Sequence, residues 1–319
     1  MKKKGINLSA QDFQEKVNVI FHDCEAEVYD EMHADMNDSL QEQIDLLVED
    51  LLGHCDVSKK QLRVLDVGCG TGMSSNFLMN SRLKPFIAHI TLLDTSSRML
   101  EVADRKAQLW NKEYSLFCGR MSQLSGKYDL VLVCSVLHHI PDLKQFLEEV
   151  RIITNPKGIF IHLQDPNVDS LNNENYKNRV KSYRSKDETK PLGRKIKNLL
   201  PKRYRSYINR LLGRKNYIDL INDKLIKDKV ISSRLTADEI WSITDIHVGS
   251  LQDGTMKGIS IDLLKGSLGN FTLINQRSYG FYGKLKADLD PEFKKKEQDL
   301  INENKLDGRN ISGLWVKYK

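Results

Sequence analysis

Between residues 64 and 72 the chain reads Val-Leu-Asp-Val-Gly-Cys-Gly-Thr-Gly, and no other run limits its fold so tightly. An apolar stretch ends in a carboxylate and passes directly into three glycines at alternate positions. That order predicts a buried strand turning sharply into a helix, with bare backbone at the turn where a ligand can approach. Glycine is required there because a Cβ would clash at positive φ or block the approach. The spacing departs from the dinucleotide fingerprint G-x-G-x-x-G, whose last glycine falls where Met73 stands. Asp66, two residues before Gly68, would also repel a pyrophosphate. A cationic ligand without phosphates suits the turn better.

The downstream pattern is consistent with such a turn. Residues 73–80 read as a helix and Ile90–Asp94 as a second strand. Asp94 is placed either to accept hydrogen bonds from a ribose diol or to cap the helix beginning near Ser96-Ser97. Tyr128–Ser135 is a β-branched apolar run that predicts a central parallel strand. It runs into Val136-Leu137-His138-His139-Ile140-Pro141-Asp142. Asn155–Gly158 forms a turn before a fifth strand, Ile159–Leu163, which ends in Gln164-Asp165-Pro166-Asn167. Ligands of open α/β sheets bind beyond the carboxyl ends of the strands, so Ser135, His138 and His139 are expected to face a site.

Together these motifs resemble class I methyltransferases that use S-adenosylmethionine, through about residues 20–166 and more weakly through 255–319. The resemblance implies an α/β fold: a Rossmann-like, seven-stranded, mostly parallel sheet with helices on both faces, plus an N-terminal helical cap and a helical insertion. It implies S-adenosylmethionine as cofactor, with Asp66, Gly68, Gly70 and Gly72 in the first cofactor motif. It further implies Asp94 at the ribose with Thr95 beside it, Ser135 at the fourth strand end, and the backbone of Met121 at the adenine edge. Arg120 stands where relatives carry an acid. The segment ending Ala26-Glu27-Val28-Tyr29-Asp30 resembles the cap that folds over the cofactor; Tyr29 either closes the pocket above the methyl group or packs on the core. The two late extended runs, Phe271–Tyr282 and Ile311–Lys319, match the antiparallel sixth and seventh strands of that fold, and Gly258–Leu268 reads as a helix before them.

Methyl transfer to a neutral hydroxyl calls for a base, worth roughly 10²–10⁴-fold. Histidine titrates near neutrality, which makes His139, His138 and His247 the candidates, with His22 and His33 of the cap behind them. One of the adjacent pair is equally suited to packing or to bonding backbone. His22, Asp23, His33 and Asp35 form a weak metal alternative, and no metal is expected. The five cysteines are odd in number and show no C-x-x-C spacing, which fits small buried hydrophobes in a reducing compartment. No Walker A lysine and no G-x-S-x-G occurs. The Asn/Asp-Pro-Pro-Tyr/Phe run of amino-base DNA methylation is also missing after the fourth strand.

The charge is uneven. Residues 177–229 hold 18 Lys or Arg against 5 Asp or Glu, a local +13 in a chain of net +6, so the remainder carries −7. Inside that segment Ile196, Leu199, Leu200, Tyr204, Tyr207, Ile208, Leu211 and Leu212 recur at helical spacing. It reads as an amphipathic lid whose charge is either a solvated helical face, an attraction for an anionic or carrier-bound substrate, or a dock for a membrane surface or nucleic acid. The expected organisation is a cap over 1–55, a cofactor-binding core over 56–168, a basic lid over 169–250, and the rest of the sheet over 251–319. The leading expectation is a cytoplasmic methyltransferase acting on O or N of a small-molecule acceptor. An RNA or lipid methyltransferase and a non-catalytic cofactor-binding relative are the alternatives.

Overall fold

The computed structural model of the chain describes residues 5–57, 61–188, 217–248 and 258–318. The helical periodicity over 196–212 lies outside the described residues. In chain order the main elements are α1 (Ala10–Glu25), α2 (Tyr29–Met32), α3 (Asn37–His54), β1 (Leu62–Val67), α4 (Met73–Asn80), β2 (Ile87–Asp94), α5 (Ser97–Ala107), β3 (Glu113–Cys118), β4 (Tyr128–Cys134), α6 (Leu143–Ile153) and β5 (Thr154–Pro166). They continue with α7 (Val168–Leu171), α8 (Glu174–Glu188), α9 (Tyr217–Lys227), α10 (Ala237–Thr244), α11 (Ile261–Ser267), β6 (Phe271–Tyr279), α12 (Pro291–Asn302) and β7 (Asn310–Lys317).

The strands form one seven-stranded sheet in the order β3-β2-β1-β4-β5-β7-β6. The first five pair in parallel, and β7 is antiparallel to both β5 and β6. Only β7 therefore opposes the common direction, whereas the sequence reading treats both late strands as the antiparallel ones. The order reverses beside β1, which pairs with β2 on one side and β4 on the other. That is the place where an open α/β sheet leaves a crevice at its carboxyl edge.

Both faces are covered. On one, α3, α4 and α5 pack Leu47, Leu51, Phe77, Leu78 and Leu100 against Val64, Leu92 and Leu132. On the other, α6 and α11 bring Phe146, Leu147, Val150 and Leu264 against Leu65, Val131 and Phe160. Burial on both faces explains the continuous apolar runs of the central strands.

The first 55 residues divide between two cores. The α3 helix belongs to the sheet sandwich, whereas α1 packs elsewhere. Ser9 caps α1 by accepting from the Asp12 amide at 3.1 Å. Its apolar Phe13, Val17, Ile20 and Phe21 then fall on one helical stripe. That stripe is buried against Ile221, Leu225, Val230, Ile231 and Ile240 of α9, α10 and their connection. α8 joins a third cluster, in which Tyr183 meets Tyr282 and Phe293. The helix expected over 258–268 starts only at Ile261, because Ile259 bridges to Asn167 and the Ser260 hydroxyl caps the Leu263 amide.

Candidate functional site

β1 ends at Val67 and the chain enters the glycine turn. Gly68 takes φ +66°, and a Cβ there would sit 2.6 Å from Cγ2 of Val136. Gly70 takes φ +52°, and a Cβ there would touch nothing within 4 Å. The two glycines answer different needs: the first admits the β4 loop, while the second turns backbone toward a cavity. That cavity, about 290 Å³, opens along the carboxyl edge of β1, β2 and β4 beneath α1.

Asp94, the last residue of β2, lines the cavity and is 9% exposed. Its Oδ2 accepts from the Gly70 amide at 2.8 Å and its Oδ1 from the Ser96 amide at 2.8 Å. Burial pushes this carboxyl above its ordinary range, opposed by those backbone bonds. The carboxylate thus ties the glycine turn to the start of α5. The helix cap itself is Ser96, whose hydroxyl accepts from the Met99 amide at 3.1 Å. A buried carboxylate in a cavity wall gains from further donors, and a vicinal diol supplies two.

Thr95, Met121, Ser135, Tyr29 and Gly68 also line the cavity. Asp66 and Gly72 do not. Asp66 is fully buried and accepts from the hydroxyls of Ser74 and Ser75 at 2.7 and 2.6 Å, which staples the first turn of α4 to β1. Burial raises its pKa to about 6 against those two bonds. Gly72 is the left-handed residue that opens α4 and sits against Ala103. Both shape the turn from behind. Arg120 pairs with Glu15 of α1, so the residue in place of the usual acid fastens the cap. Ser135 has φ +61° at the β4 end, beside the site.

The three candidate bases separate clearly. His139 lines the cavity; His138 and His247 do not. His139 Nδ1 lies 2.8 Å from the Thr244 carbonyl oxygen, which only accepts, so Nδ1 carries the hydrogen and Nε2 keeps its lone pair. Burial, then the neighbouring His138 and His22, hold its pKa well below the ordinary value, so the ring is neutral. His138 Nδ1 is 2.9 Å from Oδ1 of the buried Asp165, whose other oxygen has no partner among the described residues. His247 Nε2 donates to the Ile140 carbonyl at 2.9 Å while its amide donates to that of His138 at 3.2 Å. His247 therefore clamps the loop that carries the other two.

Of the metal alternative drawn from the cap, Asp23 accepts from the Ser96 hydroxyl at 2.7 Å and the His33 ring packs on Tyr29, while the Asp35 side chain lies outside what the structure describes. Instead His138, His139 and Asp245 offer one ligand atom each within 4.8 Å of one another. The His139 nitrogen on that side, Nδ1, already lies 2.8 Å from the Thr244 carbonyl oxygen and 3.3 Å from Asp245.

The sequence reading named His22 only as a weaker candidate and missed Gln14 and Asn18 on the same polar face of α1. Gln14 donates to the His139 carbonyl at 3.0 Å, and Gln14, Asn18 and His22 all line the cavity. Their i, i+4, i+8 spacing opposite an apolar stripe was the available signal. At the other end of the cap, the Thr71 hydroxyl donates to Asp30 at 2.6 Å and accepts from Lys106 at 3.1 Å, pinning α2 to the glycine turn.

Residues 58–209 match a family model described as a methyltransferase domain. The chain is 32% identical over 110 residues to a demethylmenaquinone methyltransferase of Leptospira interrogans, covering 32% of this chain and 42% of that protein. It is 32% identical over 101 residues to a ubiquinone biosynthesis O-methyltransferase of Methylocella silvestris, covering 31% of this chain and 38% of that protein. Each alignment thus spans less than half of the curated relative. Among solved structures, a magnesium protoporphyrin IX methyltransferase from Synechocystis with bound S-adenosylhomocysteine aligns at 15% identity. That match covers 90% of this chain and 87% of that one, with a TM-score of 0.43.

Proposed function

We propose, on the methyltransferase-domain match over residues 58–209, that the chain is a class I S-adenosylmethionine-dependent methyltransferase that transfers the methyl group to an oxygen or nitrogen of a small-molecule acceptor, with His139 as the base. One observation carries the reading. Of three candidate histidines, the single one that reaches the cavity holding Gly70 and Asp94 is also the one whose Nε2 is left free and unprotonated.

The cofactor fits the residues present. Asp94 would offer its carboxylate to a ribose diol, the Gly68–Gly70 backbone would receive the amino-acid end, and Met121 with Gly119 would border the base. Bound S-adenosylmethionine supplies an electrophilic methyl group on a sulfonium sulfur. The chain then has three tasks. The α1 helix, fastened by Glu15 to Arg120 and by Asp23 to Ser96, covers the cavity and keeps water from competing. Gln14 and His247 hold the 136–140 loop, which fixes the direction of the His139 ring. His139 Nε2 takes the acceptor's proton as the new bond forms, and alignment supplies most of the remaining rate. We place the lid in α1 together with 217–248.

The test combines calorimetry and turnover on the full chain. The protein should bind S-adenosylhomocysteine, and labelled methyl should move from S-adenosylmethionine to O–H or N–H acceptors in a panel. His139→Gln should lose turnover while keeping cofactor affinity. Equal turnover in the variant overturns the base, and absence of S-adenosylhomocysteine binding overturns the cofactor site.

A further inference from the structure

The cavity is lined by a second histidine, and it comes from the α1 helix. His22 stands on the polar face of α1 and meets the His139 ring edge-to-face, centroids 5.6 Å apart. Its Nδ1 is 2.8 Å from Oε1 of Glu25, whose side chain is 4% exposed. A carboxylate only accepts, so this nitrogen carries a hydrogen and directs Nε2 away from Glu25. One turn back along α1, Asn18 Oδ1 is buried without a partner among the described residues. A buried acceptor atom and an imidazole edge thus share a wall with the base on the other side.

We propose that His22, held by Glu25, is a second acceptor-binding and catalytic residue, and that the pair His22/His139 selects a weakly acidic hydroxyl, a phenol or enol, over an amine. The inference rests on the methyltransferase reading above and deepens it.

The electrostatics agree with the geometry. Burial alone would depress the His22 pKa. The hydrogen bond and charge of Glu25, with Asp94 at the β2 end and Asp245 after α10, outweigh it and hold the value above the ordinary one. His139 moves the other way, partly because His22 and His138 are near. Two groups whose surroundings drive their pKa values apart divide the acid and base roles. In its protonated form, which the raised pKa favours, His22 carries a hydrogen on Nε2 as well and presents it to the acceptor oxygen, and His139 presents a lone pair. The O–H bond then breaks toward His139 Nε2, an O–CH₃ bond forms, and the C–S bond breaks to leave a neutral thioether. His139 afterwards returns its proton to solvent. Negative charge that builds on the oxygen is stabilised by His22. An amine would build positive charge at the same place and be repelled.

The test uses 4-nitrophenol as probe, whose ionisation is visible, on the full chain saturated with S-adenosylhomocysteine. Saturation is checked by calorimetry for each variant. In the wild-type protein the probe's ionisation midpoint should fall by about one unit against free probe, a tenfold gain in bound phenolate. His22→Gln should abolish that shift. In Glu25→Gln, nitrogen-detected imidazole NMR should show the His22 titration dropping below 6.5, and the probe shift should shrink with it. A probe that does not bind, an unshifted midpoint, or a shift that survives His22→Gln overturns the proposal. If S-adenosylhomocysteine itself fails to bind, the methyltransferase reading falls first and takes this one with it.

Discussion

The two ends of the cavity are built in different ways. At the proposed cofactor end most of the wall comes from one stretch of chain, residues 67–121, in which β1, β2 and β3 run in register to a common edge, with Tyr29 and Ser135 added from outside it. Asp94 and the Gly70 amide meet because neighbouring parallel strands finish together. At the acceptor end the contacts cross the chain. Gln14 reaches His139 across 125 positions, and His139 reaches Thr244 across 105. Local geometry dictates the first end, whereas the second exists only after α1 has packed on 217–240. A binding site for a common cofactor can therefore persist while the acceptor wall is rebuilt helix by helix.

Substitutions at the two ends should separate accordingly. The largest effect is expected from His139→Ala, with kcat reduced about 10³-fold, within the span of general-base catalysis, and S-adenosylhomocysteine affinity changed less than twofold. Asp94→Ala should do the reverse. Loss of charge-assisted bonds to a diol weakens cofactor binding about 100-fold by calorimetry, with a smaller loss of kcat at saturating cofactor. If either variant shows the other's pattern, the division of the cavity is wrong.

The pH profile sharpens the same division. An ordinary histidine base loses activity as pH falls through about 6.5. Because burial holds His139 well below that value, its ring stays unprotonated there. The acid limb of kcat assigned to His139 should begin well under pH 6.5. A limb from His139 centred at 6.5 or above would show the ring to be solvated and not part of a closed wall.

Much of the cofactor end was legible because its signals are local. Alternate glycines, a carboxylate at a strand end and an apolar run each report their own structure, and α4 falls on residues 73–80 as the turn requires. Asp66 was legible as a member of the turn but not in its direction: only the Ser74 and Ser75 hydroxyls, one turn of helix later, show that it points backward. The acceptor end was legible only in fragments. Spacing alone could not choose among His138, His139 and His247, since that choice depends on which carbonyl or carboxylate each ring finds after folding. Nor could it show that the first 55 residues serve two cores, because α1 and α3 are both amphipathic and nothing in either names its partner.

The smallest effect is expected in stability, where two buried groups mask each other. Asp66 at the glycine turn has its pKa raised to about 6 by burial. The folded state holds that proton more tightly than the unfolded one, so this contribution is lost as pH rises from about 4 through 6. His162, buried between Phe160 and Trp315 in the β5–β7 half of the sheet, is lowered to about 4 by burial. The unfolded chain takes that proton first, so this contribution is lost as pH falls from 6.5 through 4. Each has a ceiling of about 3 kcal/mol, and the signs are opposite over one window. These two contributions therefore offset each other between pH 4 and 6.5, while other buried groups such as Glu297, raised to about 7, add their own slope. Asp66→Asn removes the first component and His162→Phe the second. Relative to the wild type, melting curves should then tilt in opposite directions, rising more with pH for the Asn variant and falling more for the Phe variant. Parallel slopes would mean that one of these carboxyl or imidazole groups is reached by water, and the turn behind the cofactor would be the first place to look.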